Sequence, residues 1–206
     1  MPNWCNNRVV ISHEDSSKME ALVSAINDGK FCNHVIPVPE SLHIVAGSVG
    51  DPDEQKKLEE DTARNLEVHG YGNWYDFCVN RWGTKWDIDP YEKIKIDQYG
   101  QIEFGFDSAW APPVGVYEEL VNQGFQVEAT YYESGMAFVG RYDNGYDDCI
   151  EFSGETSATV RDVIGEELDD EYGISECMAE YEEMDKDETT QWYEEGVESK
   201  GLEPHK

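Results

Sequence analysis

The sequence predicts an α+β fold in which helices cover one face of an antiparallel sheet. Two pairs of segments alternate polar and apolar residues, and a short turn containing glycine joins each pair, which is typical of β-hairpins. A segment with apolar residues three and four positions apart precedes each hairpin, as in an amphipathic helix. The chain has 206 residues, 39% of them hydrophobic, and is long enough to bury a core without disulfides or metal.

The first half of the predicted domain begins with a strand and a helix. Asn7–Ile11 is rich in β-branched residues and predicts a strand. Ser16–Gly29 predicts a helix that glycine ends, because four apolar residues recur at helical spacing: Met19, Leu22, Val23 and Ile26. Phe31–Ile36 is expected to be a second extended segment. Residues from about 37 to 90 are interpreted as an insertion, with a charged helix from Asp51 to about Val68.

The second half contains the two hairpins, with a helix between them. Lys93–Asp97 pairs with Gln101–Phe106 in the first hairpin, and Phe125–Tyr132 pairs with Met136–Tyr142 in the second. The intervening helix begins at two prolines and ends at a glycine, over 112–124. The order strand, helix, insertion, strand, strand, helix, strand, strand suits the split βαβ, or ferredoxin-like, arrangement.

Charge divides the chain into two predicted parts. The 45 Asp and Glu residues outnumber the 15 Lys and Arg residues, so the net charge is -30 and the pI is about 4.2. Residues 1–142 hold 23 acidic and 11 basic residues, whereas 143–206 hold 22 acidic and 4 basic residues. Because aromatic and apolar residues recur within 143–206, we expect an acidic extension made of a strand and helices, not a featureless tail.

The same surplus of negative charge excludes two classes of function. Direct binding to nucleic acid and binding to an anionic membrane both require Lys and Arg to neutralise phosphates. An uninterrupted apolar stretch of about 18 residues, which a membrane helix needs, is absent from the sequence. The start of the chain does not resemble a signal peptide, and the five cysteines are widely spaced without a Cys-x-x-Cys pair. We therefore expect reduced thiols and a cytoplasmic protein.

Three tryptophan motifs combine aromatic and polar residues: Asn3–Asn7, Arg81–Asp87 and Ser108–Pro113. In one interpretation, Asn, Thr and Asp satisfy buried indoles, and the motifs clamp the sheet. In the other, the indole faces and nearby cations bind a small anionic ligand. The residues of such a site would be Trp4, Arg81, Trp82, Lys85, Trp86 and Trp110.

Four segments together resemble a known family. Met1–Asn7, Trp82–Asp87, Phe104–Pro113 and Tyr132–Gly135 occur in this order and are similar to motifs of the YubB-like family of plasmid and phage proteins. The resemblance covers about residues 1–142 and leaves the acidic extension uncovered. It implies a ferredoxin-like domain and a bacterial or phage setting. Its members have no assigned activity, so it transfers no catalytic residue.

The sequence patterns for other chemistries are weaker. The candidates for a catalytic nucleophile or a zinc site lack signature spacing: Cys32, His34, His69 and Cys78. Asp143–Asp148 places oxygen ligands around a glycine without the spacing of a calcium loop, and predicts a turn. Asp87 or Glu133 would act as an acid or base only with a shifted pKa. The sequence favours a non-enzymatic protein and predicts no metal, cofactor or catalytic residue.

The surplus of carboxylates suggests a function in binding a basic protein. Carboxylates spaced along the predicted helices would imitate a row of phosphates and occupy the nucleic-acid site of a host protein, such as a nuclease or restriction enzyme. The alternative is a hydrated acidic face that only keeps the protein soluble. The residues of the predicted acidic face are Asp162, Glu166, Asp169, Asp170, Glu176, Glu180, Glu183 and Asp187.

Overall fold

The computed structural model describes residues 3–184 of the chain. Two compact units are present, Met1–Cys149 and Ile150–Lys206. The elements of the first unit are β1 (Trp4–Ser12), α1 (Ser16–Asn27), α2 (Phe31–Val35), α3 (Pro52–His69), α4 (Trp74–Arg81), β2 (Gln101–Ala109), α5 (Val114–Asn122), β3 (Gln126–Glu133) and β4 (Phe138–Asp143). Strand β5 (Tyr146–Glu151) crosses the boundary between the units. It is followed by α6 (Val160–Ile164), α7 (Glu166–Tyr172) and helical residues 174–184.

A five-stranded antiparallel sheet, in the order β2-β1-β3-β4-β5, confirms the predicted α+β class. Strand β1 lies between β2 and β3 and runs antiparallel to both, and β3 runs antiparallel to β4. Strands β2 and β3 therefore run parallel to each other, on either side of β1, and α5 connects them. The strands of the second predicted hairpin, β3 and β4, and the helix α5 are confirmed.

The core lies against one face of the sheet because side chains alternate along each strand. On β1, Val9 and Ile11 are buried, whereas Trp4 and Arg8 on the opposite face are exposed. Helices α1, α2, α4 and α5 contribute apolar side chains to the same core as strands β1 to β4. Its large, fully buried members include Phe31, Phe106, Met19, Leu22, Ile26, Ile102, Tyr117 and Tyr142.

The segment Phe31–Ile36 forms the helix α2, so the predicted extended segment is wrong. The cause is a cap from a distant part of the chain. The carboxylate of Asp87 accepts hydrogen bonds from the backbone N–H groups of Cys32, at 2.7 Å, and Asn33, at 3.0 Å. These are first-turn donors that a helix cannot satisfy internally, and Asp87 lies about fifty residues away, beyond the reach of any local pattern.

Lys93–Asp97 does not form a regular strand, although its chain runs beside β2 as the hairpin prediction requires. Tyr91 N–H donates to Gly105 at 3.0 Å, and Asp97 N–H donates to Gln101 at 2.9 Å. Between these bonds, the side chain of Asn27 binds both the N–H and the C=O of Ile94, at 2.8 and 3.0 Å. Asn27 thus takes the backbone groups that a ladder with β2 would use.

The predicted insertion is largely helical. Helix α3 confirms the charged helix expected after Asp51, whose side chain caps the N–H groups of Asp53 and Glu54. Gly70, with a φ of 77°, ends α3 in the left-handed conformation that favours glycine. Among residues 3–184, no helix has the length and apolar character to cross a membrane.

Candidate functional site

The three tryptophan motifs meet at one end of the sheet. Trp4 at the start of β1 pairs with Ala109 at the end of β2. The N–H of Trp110 donates to the C=O of Asn3 at 3.0 Å, which continues this pairing beyond the strands. Cys5 pairs with Glu133 on β3, so the Tyr132–Gly135 segment reaches the same end of the sheet. Strand pairing therefore joins segments that are separated by up to about 130 residues.

Part of the Arg81–Asp87 motif is a structural clamp. Trp82 is 4% exposed, and its indole N–H donates to the C=O of Ile36 at 2.8 Å. Thr84 is buried and donates its hydroxyl to the C=O of Ala109 at 2.9 Å. Gly83 lies against the backbone of Pro112, where an added Cβ would come within 2.8 Å of the carbonyl oxygen. Trp82 therefore holds the motif to the end of α2 and Thr84 holds it to β2, and the buried Trp82 does not form the wall of a binding site.

A buried polar network fixes the backbone next to this clamp. The side-chain amide of Asn7 donates to the C=O of Cys5 and to the hydroxyl of Ser108, both at 2.8 Å. The Ser108 hydroxyl donates to the C=O of Ala111, also at 2.8 Å. These bonds satisfy polar groups that would be costly to bury alone. They hold the chain from the end of β2 to the start of α5 in a defined path.

The two carboxylates considered for acid–base catalysis have structural partners. Asp87 caps α2, and although burial raises its pKa, its oxygens are occupied by backbone N–H groups. Glu133 is 1% exposed and accepts from the N–H of Gly135 at 2.9 Å and of Met136 at 2.6 Å. Both carboxylates therefore stabilise local backbone, and the titratable groups that they influence are buried thiols: Cys32 and Cys78 for Asp87, and Cys5 for Glu133.

The remaining aromatic residues of the motifs are exposed. Trp4 is 50% exposed, Trp86 39% and Trp110 46%. The ring centroids of Trp4 and Trp86 are 6.1 Å apart and their planes are inclined by 42°. The Lys85 ammonium lies over the Trp86 ring, 4.5 Å from its centroid, and 5.5 Å from the centroid of Tyr75. We call the group Trp4, Tyr75, Lys85 and Trp86 the aromatic platform.

Tyr75 was not predicted from the sequence, and it belongs to the platform because α4 carries it there. Asn73 caps α4 by accepting from the N–H groups of Tyr75, at 2.9 Å, and Asp76, at 3.1 Å. The cap signal is visible in the sequence, but it does not specify which face of a short helix is exposed. Arg81 ends the same helix and is exposed.

The predicted acidic residues divide into exposed and buried positions. The exposed ones are Asp162, Glu166, Asp170, Glu176, Glu180 and Glu183. Asp169 is 2% exposed and accepts from Ser175 N–H at 2.7 Å, Ser175 Oγ at 2.7 Å and Arg161 Nη1 at 2.9 Å. The prediction that Asp169 belongs to an exposed acidic face is therefore wrong, because the hydrogen bonds of Asp169 join α7 to the helical residues that follow. Asp187 lies outside the described residues.

Arg161 neutralises part of the acidic unit. It forms ion pairs with Glu166, Asp169 and Asp170, each at 2.9 Å. Burial by itself would raise the pKa of Asp169, but the bonds from Ser175 and Arg161 hold it below the ordinary value. Glu176, Glu180 and Glu183 form no ion pair with a cation among residues 3–184, so their negative charge is not neutralised within this range.

The cysteine and histidine candidates do not form a reactive centre. Cys32 and Cys78 are buried, and burial raises the pKa of both thiols, that of Cys78 to about 12. His69 Nε2 lies 2.9 Å from Ser41 Oγ, but in residues 3–184 no carboxylate orients this histidine. Within the same range, His, Cys, Asp and Glu side chains form no group of three that could hold a metal ion. The segment Asp143–Asp148 contains the turn between β4 and β5.

Comparisons with known proteins add one distant likeness. No protein-family model matches the chain, and no curated protein matches it. Among solved structures, the chain is similar to the crystal structure of the protein api92 from Yersinia pseudotuberculosis, which carries the family-model name DUF1281. The identity is 12% and the TM-score 0.37, over 75% of this chain and 99% of that chain. This likeness is too distant to support a function.

Proposed function

We propose that the protein is a non-enzymatic interaction protein that binds a basic protein partner through the acidic helices of its second unit. The supporting observation is the row formed by Glu176, Glu180 and Glu183. All three are exposed, and their spacing of four and three residues puts them on one stripe of the helical segment 174–184. Residues 151–184 contain twelve acidic residues and one basic residue, Arg161.

The spacing of this row is close to that of phosphates on a nucleic acid strand. With a helical rise of about 1.5 Å per residue, the three carboxylates are about 6 and 4.5 Å apart along the helix axis. Phosphates of one strand of duplex DNA recur about every 3.4 Å. With one charge per about 5 Å, the row has about two thirds of the linear charge density of one DNA strand. This density supports the proposal that the partner is a nucleic-acid-binding protein of the host.

The sequence motifs and the sheet support a related proposal about origin and fold. Strands β2 and β3, which α5 connects, flank β1, and residues 90–97 run beside the outer edge of β2. If this segment takes the place of a strand, the order matches a ferredoxin-like sheet to which β4 and β5 have been added. Together with the YubB-like motifs, this leads us to propose a phage or plasmid protein that acts in the bacterial cytoplasm.

The test is a competition experiment with purified bacterial nucleases and DNA-binding proteins. Binding is measured by calorimetry at two salt concentrations, with and without a DNA duplex. We expect a salt-sensitive complex that duplex DNA displaces. The triple variant Glu176→Gln, Glu180→Gln, Glu183→Gln should weaken binding about 3-fold to 150-fold, since each exposed ion pair contributes about 0.2–1 kcal/mol.

A matched variant controls for net charge. Glu20→Gln, Glu60→Gln, Glu67→Gln removes three exposed carboxylates from α1 and α3, in the first unit. This variant should retain binding within about 2-fold, because a charge outside the contact acts mainly through long-range attraction, which salt screens. Equal loss in both triple variants, or a complex that duplex DNA leaves intact, would refute the proposed nucleic-acid mimicry.

A further inference from the structure

Exposed aromatic surface at the end of the sheet is the feature that the proposed function leaves unexplained. Trp4, Tyr75, Trp86 and Trp110 are each 39–50% exposed. Aromatic side chains of this size bury about 150–250 Å² each when enclosed, so together they leave on the order of 300–400 Å² in water. Single exposed apolar residues are ordinary, but a patch of this size on one region commonly marks a binding site.

A cation without an acidic partner adjoins this aromatic surface. Within residues 3–184, the Lys85 ammonium forms neither an ion pair nor a hydrogen bond, and it contacts the rings of Trp86 and Tyr75. Arg81, four residues before it, likewise has no carboxylate partner in that range. The Lys85 ammonium is therefore available to an anion that approaches the aromatic platform.

The backbone beside the platform also departs from ordinary geometry. Trp110 has a φ of 73°, in the left-handed region that a bulky residue rarely adopts. Its N–H is held by Asn3 at 3.0 Å, and the preceding Ser108 is fixed by Asn7 and Ala111. Strain of this kind costs about 1–3 kcal/mol and persists where the surrounding structure enforces it, which is common at binding sites. Here the Trp110 side chain is 46% exposed.

We propose that the aromatic platform binds a small anion that carries a planar ring, the chemistry of a mononucleotide. The ring lies against the exposed indoles of Trp4 and Trp86, because flat apolar surfaces stack with little loss of hydration. The phosphate approaches Lys85, whose ammonium lies over the Trp86 ring, 4.5 Å from its centroid. A net charge of -30 disfavours a polyanion such as an oligonucleotide, whereas a single phosphate is attracted by the local cations.

This inference is independent of the acidic row, because it involves residues of the first unit only. The aromatic platform differs from the sequence prediction in four residues: Arg81, Trp82 and Trp110 are not part of it, and Tyr75 is added. Trp82 is excluded, since it is buried and its N–H is bonded to Ile36. Tyr75 is added, since it shares the Lys85 ammonium with Trp86.

The test uses the full chain, titrated with AMP and followed by the NMR signals of the indole N–H groups. Adenosine and inorganic phosphate are titrated in parallel, so that the ring and the charge are examined separately. We expect AMP to shift the signals of Trp4 and Trp86. The signal of Trp82 should stay unchanged, which provides an internal control for a change in overall fold.

Variants then test the two parts of the site. Trp86→Ala should weaken AMP binding about 5-fold to 150-fold, the range for loss of one stacked base. Lys85→Gln should weaken AMP binding while leaving the weaker binding of adenosine unchanged. The controls are Tyr99→Ala and Lys95→Gln, which remove an exposed aromatic and an exposed cation near the opposite end of β2 and should change nothing.

Four outcomes would overturn the proposal. The first is absence of any shift at Trp4 and Trp86 on addition of AMP. The second is equal affinity for adenosine, which would show that the charge is not recognised. The third is equal affinity for inorganic phosphate, which would show that the ring is not recognised. The fourth is tighter binding of a single-stranded oligonucleotide than of AMP, which would assign the platform to a polymer.

Discussion

Replacement of Gly115 by alanine tests whether the tryptophan clamp depends on close packing between α4 and α5. Gly115 lies in the first turn of α5, where an ideal Cβ would come into direct contact with the C=O of Arg81. Its N–H donates to the C=O of Trp82 at 3.1 Å. A methyl group at this position has to push the end of α4 away, because the atom it meets belongs to backbone and not to a flexible side chain.

The expected size of the effect follows from three contributions. Overpacking costs about 1–3 kcal/mol, and loss of the Gly115 hydrogen bond costs about 0.5–1.5 kcal/mol. The lower entropy of the unfolded chain and the better helix propensity of alanine offset about 0.4–1 kcal/mol. The net result is a loss of about 0.5–4 kcal/mol in the free energy of unfolding, or about 1–16 °C in Tm for a chain of this length.

The assay is urea unfolding followed by circular dichroism, with Gly50→Ala as the matched control. An added Cβ at Gly50 meets nothing within 4 Å. Gly50→Ala should therefore leave stability unchanged or raise it by up to about 1 kcal/mol. If Gly115→Ala unfolds at the same urea concentration as the wild type, the close approach of α4 and α5 is not what holds the clamp.

Three further outcomes are expected. Trp82→Phe should lower the free energy of unfolding by about 1–3 kcal/mol, since it leaves a buried carbonyl unsatisfied, whereas the exposed Trp86→Phe should lower it by less than about 0.5 kcal/mol in the same urea assay. Because the pKa of Asp169 is lowered by folding, its contribution should be complete above the ordinary Asp value near 3.9 and lost as the pH falls through the lowered value. Asp169→Asn should flatten this part of the acid-unfolding curve and Asp162→Asn should not; equal curves for the two variants would contradict the assignment. A thiol reagent should modify the two exposed cysteines quickly and the three buried ones only after unfolding. The buried cysteines are Cys5, Cys32 and Cys78.

Local sequence patterns were sufficient to predict the elements that local interactions determine. Helix α1 was predicted because its own residues define an apolar stripe, and α3 because Asp51 marks the start of a charged segment. Such patterns were insufficient where a distant side chain determines backbone geometry. The cap of α2 comes from Asp87, and Asn27 diverts the backbone of Ile94 from strand pairing. No periodicity in either segment records these bonds.

The sequence by itself determined the α+β class, the positions of most helices and the uneven charge, because these depend on residue type and on spacing within about twenty positions. Only the tertiary structure decided which tryptophan of one motif is buried and which is exposed. Trp82 and Trp86 are four residues apart, yet one is bonded to Ile36 in the core and the other lies exposed beside Trp4. Burial is set by which distant segments dock, so identical side chains in similar local sequence acquire opposite roles.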